Sequence, residues 1–105
     1  MKIFVQAKDM RVTQAIRLFV TDKVRRNIGK LGLRVNAVKV YLENVARKKN
    51  DPQSSQVKVK IEIPGKDIVT KNRSHDLYQA TAGAIKSGAR QLRKLKEKRK
   101  NKTRN

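Results

Sequence analysis

The chain has 105 residues, and 28 lysines and arginines against 8 aspartates and glutamates give it a formal charge of +20. That length supports one modest core and no second one, while so one-sided a charge makes the folded chain repel itself unless a polyanion is at hand, which points to nucleic acid ahead of an anionic membrane surface. No apolar run can span a bilayer, no signal-peptide core follows Met1, and the lack of cysteine removes both a disulfide framework and a thiolate nucleophile, a pattern that fits a cytoplasmic protein.

Residues 2–8 alternate, with Ile3, Val5 and Ala7 on one face and Lys2, Phe4, Gln6 and Lys8 on the other, and this period of two predicts a half-buried first strand. Thr13 is a candidate N-cap, because its hydroxyl can accept from an unpaired N–H of the first helical turn. Behind it Ala15, Ile16, Phe19, Val20, Val24 and Ile28 recur at helical spacing as one apolar stripe, and Gly29 and Gly32 supply the stop. Residues 35–45 alternate again, with Val38, Val40 and Leu42 inward and Lys39, Tyr41 and Glu43 outward. The polar stretch ARKKNDPQSS then reads as a solvated loop between neighbouring strands.

Val57, Val59, Ile61 and Ile63 alternate with Lys58, Lys60 and Glu62 in the clearest strand of the chain, and Pro64-Gly65 marks a turn. A short fourth strand follows, whose inward residues are either Ile68 and Thr70 or Val69 and Lys71. Ser74 is placed to cap the last helix, with Asp76 in the first turn, where a carboxylate favours the positive end of the helix dipole. Leu77, Thr81, Ala84, Ile85, Gly88, Leu92 and Leu95 form the stripe of that helix. Gly88 costs about 1 kcal/mol of helix propensity, which implies a packing requirement. No apolar residue recurs beyond Leu95, so the predicted domain occupies residues 1–95 and residues 96–105 form a basic, flexible tail. The predicted order is β-α-β-β-β-α, an α+β fold with a four-stranded sheet and two helices packed on one face.

The sequence offers little material for catalysis. His75 is the only histidine, and its position beside a helix cap favours a surface or capping role over a phosphate or ribose contact. Glu43, Glu62, Asp67 and Asp76 sit in four separate local settings without the pairing that two-metal or glycosidase chemistry needs. One histidine and no cysteine exclude a structural zinc site of the usual kind. No cofactor, metal or small-molecule substrate is therefore expected. Tyr78 reads as a packing residue with its hydroxyl at the rim.

The cations are more informative. Lys86, Arg90, Arg93 and Lys94 fall on or beside one stripe of the last helix, and Lys23, Arg26 and Lys30, with Arg25 adjacent, recur along the first. Spacing of this kind suits tracking of a phosphate backbone. Arg47, Lys48 and Lys49 make a second candidate cluster. Lys58 and Lys60, beside Lys39, form either a third contact or an uncovered sheet surface. With only Phe4, Phe19, Tyr41 and Tyr78 as aromatic residues, stacking on splayed bases is disfavoured, and neither helix has a helix-turn-helix pattern, so folded RNA read by shape is the best match.

Three stretches, MKIFVQAKDMRVTQAIRLFVTDKV, KVKIEIPGKDIV and HDLYQATAGAIKSGARQLRKLK, resemble in order and spacing the ribosome hibernation promoting factors and ribosome-associated translation inhibitors, also labelled sigma-54 modulation proteins. The resemblance covers residues 2 to about 95. It implies the same β-α-β-β-β-α order, reminiscent of double-stranded-RNA-binding domains. It also implies a non-catalytic, ribosome-associated protein that enters the small subunit between head and body and contacts 16S-type rRNA, with ribosomal proteins as further neighbours. Bound at the decoding region, such a protein would block mRNA and tRNA in stationary-phase or stressed cells, and it would be a monomer off the ribosome. The basic positions carried over are Lys23, Arg26, Lys30, Lys86, Arg90, Arg93 and Lys94. Asp76 and Tyr78 match a motif that shapes the helix start and are assigned structural roles. The chain stops short of the second domain by which long forms pair ribosomes, so it is expected to be a short form.

Overall fold

The computed structural model describes residues 1–46, 49 and 51–103. β1 (Lys2–Lys8) leads through α1 (Gln14–Asn27) and a 3-10 turn (Gly29–Leu31) to β2 (Ala37–Asn44); β3 (Ser55–Ile63), β4 (Lys66–Ser74) and α2 (Leu77–Thr103) follow. The sheet order is β1-β2-β3-β4. β1 pairs parallel to β2, with Val5 opposite Val40, because α1 carries the chain back across the sheet between them. The pairs β2–β3 and β3–β4 are antiparallel.

Alternation sorts the strands into two faces. Val38, Val40, Leu42, Val57, Val59 and Ile61 are fully buried under the helices together with Ile16, Val20, Val24, Ile28, Ile85 and Leu92. Each such side chain contributes about 1.5–3 kcal/mol relative to an exposed one, so this face organises the fold. The opposite face of the sheet carries no helix. Ile68 and Thr70 are the inward residues of β4, while Val69 is 45% exposed, which resolves the phase of that strand. The Thr70 hydroxyl donates to the Ala84 carbonyl at 2.8 Å, a buried tie between β4 and α2. At nine residues β4 is as long as β3, not the short strand the sequence suggests, because it pairs with β3 along its whole length. The tight link between them is made by Pro64, whose ring fixes φ, and Gly65, whose φ of 78° is a conformation that other residues rarely adopt.

α1 starts as expected, with the Thr13 hydroxyl accepting from Ile16 N at 3.2 Å. Ala15, however, is exposed, because Ile16, Val20 and Val24 centre the buried face and Ala15 lies about 100° round the axis from Ile16. The cap of α2 also differs. Ser74 Oγ accepts from Asp76 N at 3.2 Å, closing a turn one step too early to cap the helix, and Asp76 performs the capping, its Oδ1 accepting from Tyr78 N at 2.8 Å.

The far end of α2 goes beyond the expected boundary. Leu95 is the last partly buried apolar side chain, yet the helix continues through Thr103. Lys96, the first residue assigned to the tail, donates from Nζ to the Leu31 carbonyl at 2.6 Å and so ties α2 to the turn that ends α1. A cation near the C-terminal end of a helix is also favoured by the helix dipole. Arg104 and Asn105 lie outside the described residues.

Candidate nucleic-acid interface

The buried side of α2 is made by Ala80, Thr81, Ala84, Ile85, Ala89 and Leu92. Small residues at four of these positions let the helix axis sit close to β3 and β4, and at Gly88 the backbone itself faces the Ile61 side chain. With 100° per residue, Lys86, Arg90 and Arg93 then project from the opposite side and Lys94 lies one row further round. All four are exposed. Lys86 to Lys94 spans about 12 Å along the axis.

α1 lies beside α2 and runs in the same direction. Near the helix starts, Phe19 meets Tyr78 edge-to-face, with centroids 4.8 Å apart and planes at 84°; at the other end Lys96 reaches Leu31. Tyr78 is 42% exposed, and this contact with Phe19 is its packing role. The flank of α1 that carries Phe19 also carries Lys23, whose Nζ lies 5.5 Å from the Phe19 ring centroid, and Arg26. Arg26 Nε donates to Asp22 Oδ1 at 3.0 Å, but both side chains are at least half exposed, so this ion pair is weak and can be exchanged for a phosphate. Lys30 is exposed in the 3-10 turn that follows.

The seam between the helices is therefore flanked by cations from both. Lys86 and Arg93 lie within about 80° of Tyr78 round the α2 axis, on the side nearer α1, whereas Arg90 and Lys94 are turned about 120° and 160° away and occupy the crest. Arg25 does not join them. It is exposed but lies about 120° round α1 from Phe19, on the flank away from α2.

The remaining candidates divide. Arg47 and Lys48 lie outside the described residues, and Lys49 is exposed in a turn. His75 is exposed just ahead of α2. Lys58 and Lys60 both stand on the open face of the sheet but in different company. Lys60 Nζ lies 3.8 Å from Glu62 and 3.6 Å from Asp67, and Lys39 Nζ lies 2.9 Å from Glu62. The hydrogen bond from Lys39 holds the Glu62 carboxyl below its ordinary range, and its counterpart raises Lys39. Lys58 instead sits 5.8 Å from the Tyr41 ring centroid. The sequence reading passed over Lys71 and Arg73, and the signal was available only conditionally: with Ile68 and Thr70 inward, these two must face outward beside Lys58 and Gln56.

Among the described residues no group of three or more histidines, aspartates and glutamates is placed to hold a metal ion, and no helix is long and apolar enough to cross a membrane.

The fold is shared with solved structures. The N-terminal domain of Thermus thermophilus Protein Y superposes with a TM-score of 0.75 at 22% identity, covering 90% of this chain and 99% of that one. A ribosomal subunit interface protein from Coxiella burnetii gives 0.73 at 18% identity, covering 92% and 99%. No curated protein sequence matches the chain. The model of one sequence family matches residues 3–100, nearly the whole of the folded part, and by that match the chain belongs to the sigma 54 modulation protein / S30EA ribosomal protein family.

Proposed function

We propose that this protein binds small-subunit rRNA near the decoding region and blocks access of mRNA and tRNA, inhibiting translation and preserving idle ribosomes. The observation that carries this reading is the pair of basic rows on α1 and α2, exposed apart from the half-buried Lys23, side by side on the fold of a family described as ribosomal. One structural neighbour is itself named a ribosomal subunit interface protein. The protein acts by occupancy and catalyses no reaction. Lys23, Arg26, Lys30, Lys86 and Arg93 border the seam and are assigned to phosphates approaching along it, while Arg90 and Lys94 extend the contact over the crest of α2. Arg25, on the other flank, is assigned a peripheral role.

Replacement of Arg90, Arg93 and Lys94 by alanine tests this assignment. All three are exposed, so the fold should survive. Co-sedimentation with small subunits should weaken, and the slope of log affinity against log salt should fall by about two to three units, one for each lost phosphate contact. Inhibition of translation in a cell-free system should decline in parallel. Unchanged sedimentation at moderate salt would refute the assignment. Stoichiometric recovery of the protein from ribosomes in every growth phase would instead indicate a constitutive ribosomal component and remove the regulatory part of the reading.

A further inference from the structure

The face of the sheet away from the helices is not uniform in charge. Its residues stand in cross-strand rows, and the rows at the β3–β4 turn end are balanced: Lys39 and Lys60 share Glu62, and Lys60 also reaches Asp67. At the opposite end of β1 and β2, Lys8 lies 3.9 Å from Glu43. The corner built from β3 and β4 is different. Lys58 stands directly opposite Lys71, and Gln56 directly opposite Arg73. Among the described residues none of these three cations has a carboxylate within ion-pair distance, and like charges directly opposite on neighbouring strands are destabilising.

Shape and hydrogen bonding single out the same corner. Gln53, Gln56, Lys71, Asn72 and Arg73 line a shallow concavity of about 590 Å³. Gln53, Gln56, Lys71 and Arg73 bring side-chain donors to it, whereas the Asn72 amide turns to the helix side, against Gly83. Arg73 Nε donates to Gln56 Oε1 at 2.9 Å, which fixes the plane of the guanidinium and leaves its terminal N–H groups for another acceptor. Asp51 is the nearby loop carboxylate, and it accepts from the Gln53 backbone N at 2.9 Å. A fixed guanidinium flanked by an ammonium and amides is matched to a tetrahedral oxyanion, which can take two parallel bonds from arginine.

We propose that Gln53, Gln56, Lys71 and Arg73, supported by Lys58, form a phosphate-binding site on the side of the sheet opposite the helices. Its ligand is a phosphate group, carried either by a free phosphate compound or by the backbone of a nucleic acid. In the second case the protein contacts polynucleotide on two opposite faces. That extension rests on the RNA-binding reading above; the phosphate site does not.

The test uses the full chain and two variants, Lys71→Gln/Arg73→Gln and Arg90→Ala/Arg93→Ala/Lys94→Ala, each first checked for an unchanged amide NMR fingerprint. Both probes, inorganic pyrophosphate and a 12-nucleotide single-stranded RNA, are titrated while amide shifts of residues 53–58 and 70–74 and the side-chain signals of Gln53, Gln56 and Arg73 are followed. Saturable shifts at this corner that are weakened tenfold or more in Lys71→Gln/Arg73→Gln support the site, whether or not the RNA also shifts the helix face. If pyrophosphate alone produces them the source is a free phosphate compound, and if the RNA produces them, with or without pyrophosphate, a polynucleotide backbone is a source. Neither probe shifting this corner, or shifts of equal strength in Lys71→Gln/Arg73→Gln, would overturn the proposal. Arg90→Ala/Arg93→Ala/Lys94→Ala should leave the corner's response to pyrophosphate unchanged, so failure of the helix assignment and failure of this one are read separately.

Discussion

Substituting alanine for Gly88 asks whether α2 is seated by close approach to the sheet. In a helix interior the change alone should stabilise by about 1 kcal/mol. Here the new Cβ would lie 2.8 Å from Ile61 Cδ1, with Thr70 Oγ1 at 3.7 Å and Ile61 Cγ1 at 3.8 Å. Carbon atoms in contact prefer about 3.5–4.0 Å, so roughly 1 Å must be found. Ile61 has no exposed surface into which to swing. Either its side chain leaves its rotamer well, at about 0.5–1.5 kcal/mol, or α2 lifts and the core is overpacked, at about 1–3 kcal/mol. Offset by the helix gain, Gly88→Ala should fall between a stabilisation of about 0.5 kcal/mol and a destabilisation of about 2 kcal/mol. Ile61→Val deletes the obstructing atom at its own cost of about 0.5–1.5 kcal/mol. In that background Gly88→Ala should become stabilising by up to about 1 kcal/mol.

Urea unfolding of the four proteins closes the cycle, provided that the dependence on denaturant is the same in each. A coupling of about 0.5–3 kcal/mol between the two sites, equal to the strain relieved, is expected; a value below about 0.5 kcal/mol, the range of independent sites, would refute the close-approach account. The result bears on the proposed interface because Gly88 lies between Lys86 and Arg90, and an α2 displaced from the sheet carries both with it.

Lys96→Met retains the aliphatic stem and removes the donor to the Leu31 carbonyl, so stability should fall by about 0.5–1.5 kcal/mol, and amide exchange should accelerate in α2 beyond Leu95. Equal exchange in both proteins would show that this tie does not hold the helix end. Glu62→Gln tests the ion pair on the open face by thermal unfolding against pH. Because the Glu62 carboxyl is lowered in the folded state, chiefly by the hydrogen bond from Lys39, its stabilisation is present above the unfolded-state carboxylate value near about 4 and is lost as pH falls through the folded one. Lys39 is raised, so its share is present below the ordinary lysine value near about 10 and is lost as pH rises through the raised one. The variant should therefore lose less stability than the parent at both extremes, and superimposable profiles would contradict this.

How much of the site could be read in advance depended on the kind of signal. The basic residues of α2 were legible because each helix has one apolar stripe, and the cations then fall on its far side whatever the stripe packs against. Arg25 is adjacent to Lys23 and Arg26 in sequence but lies on the other flank of α1, because adjacency says nothing about which flank meets α2; Phe19 packing against Tyr78 decides that. Lys58 and Lys60 look alike in the strand pattern, yet pairing across β3–β4 brings Asp67 to Lys60 and Lys71 to Lys58. Lys71 and Arg73 were missed because Ile68-Val69-Thr70 supports either phase. Only the demand of the core for Ile68 and the bond from Thr70 to Ala84 choose between them.

Alternating and helical periodicity determined the element order, the inward faces of three strands and the Thr13 cap, since these are local properties of the chain. The composition, with its formal charge of +20, set the expectation of a polyanionic partner. Tertiary structure alone decided that β1 runs parallel to β2 and that α2 is tied down one residue past its last apolar contact. Those outcomes depend on which groups meet across distances in sequence of up to 65 residues, as with Leu31 and Lys96. A one-dimensional pattern contains the partners but not their meeting.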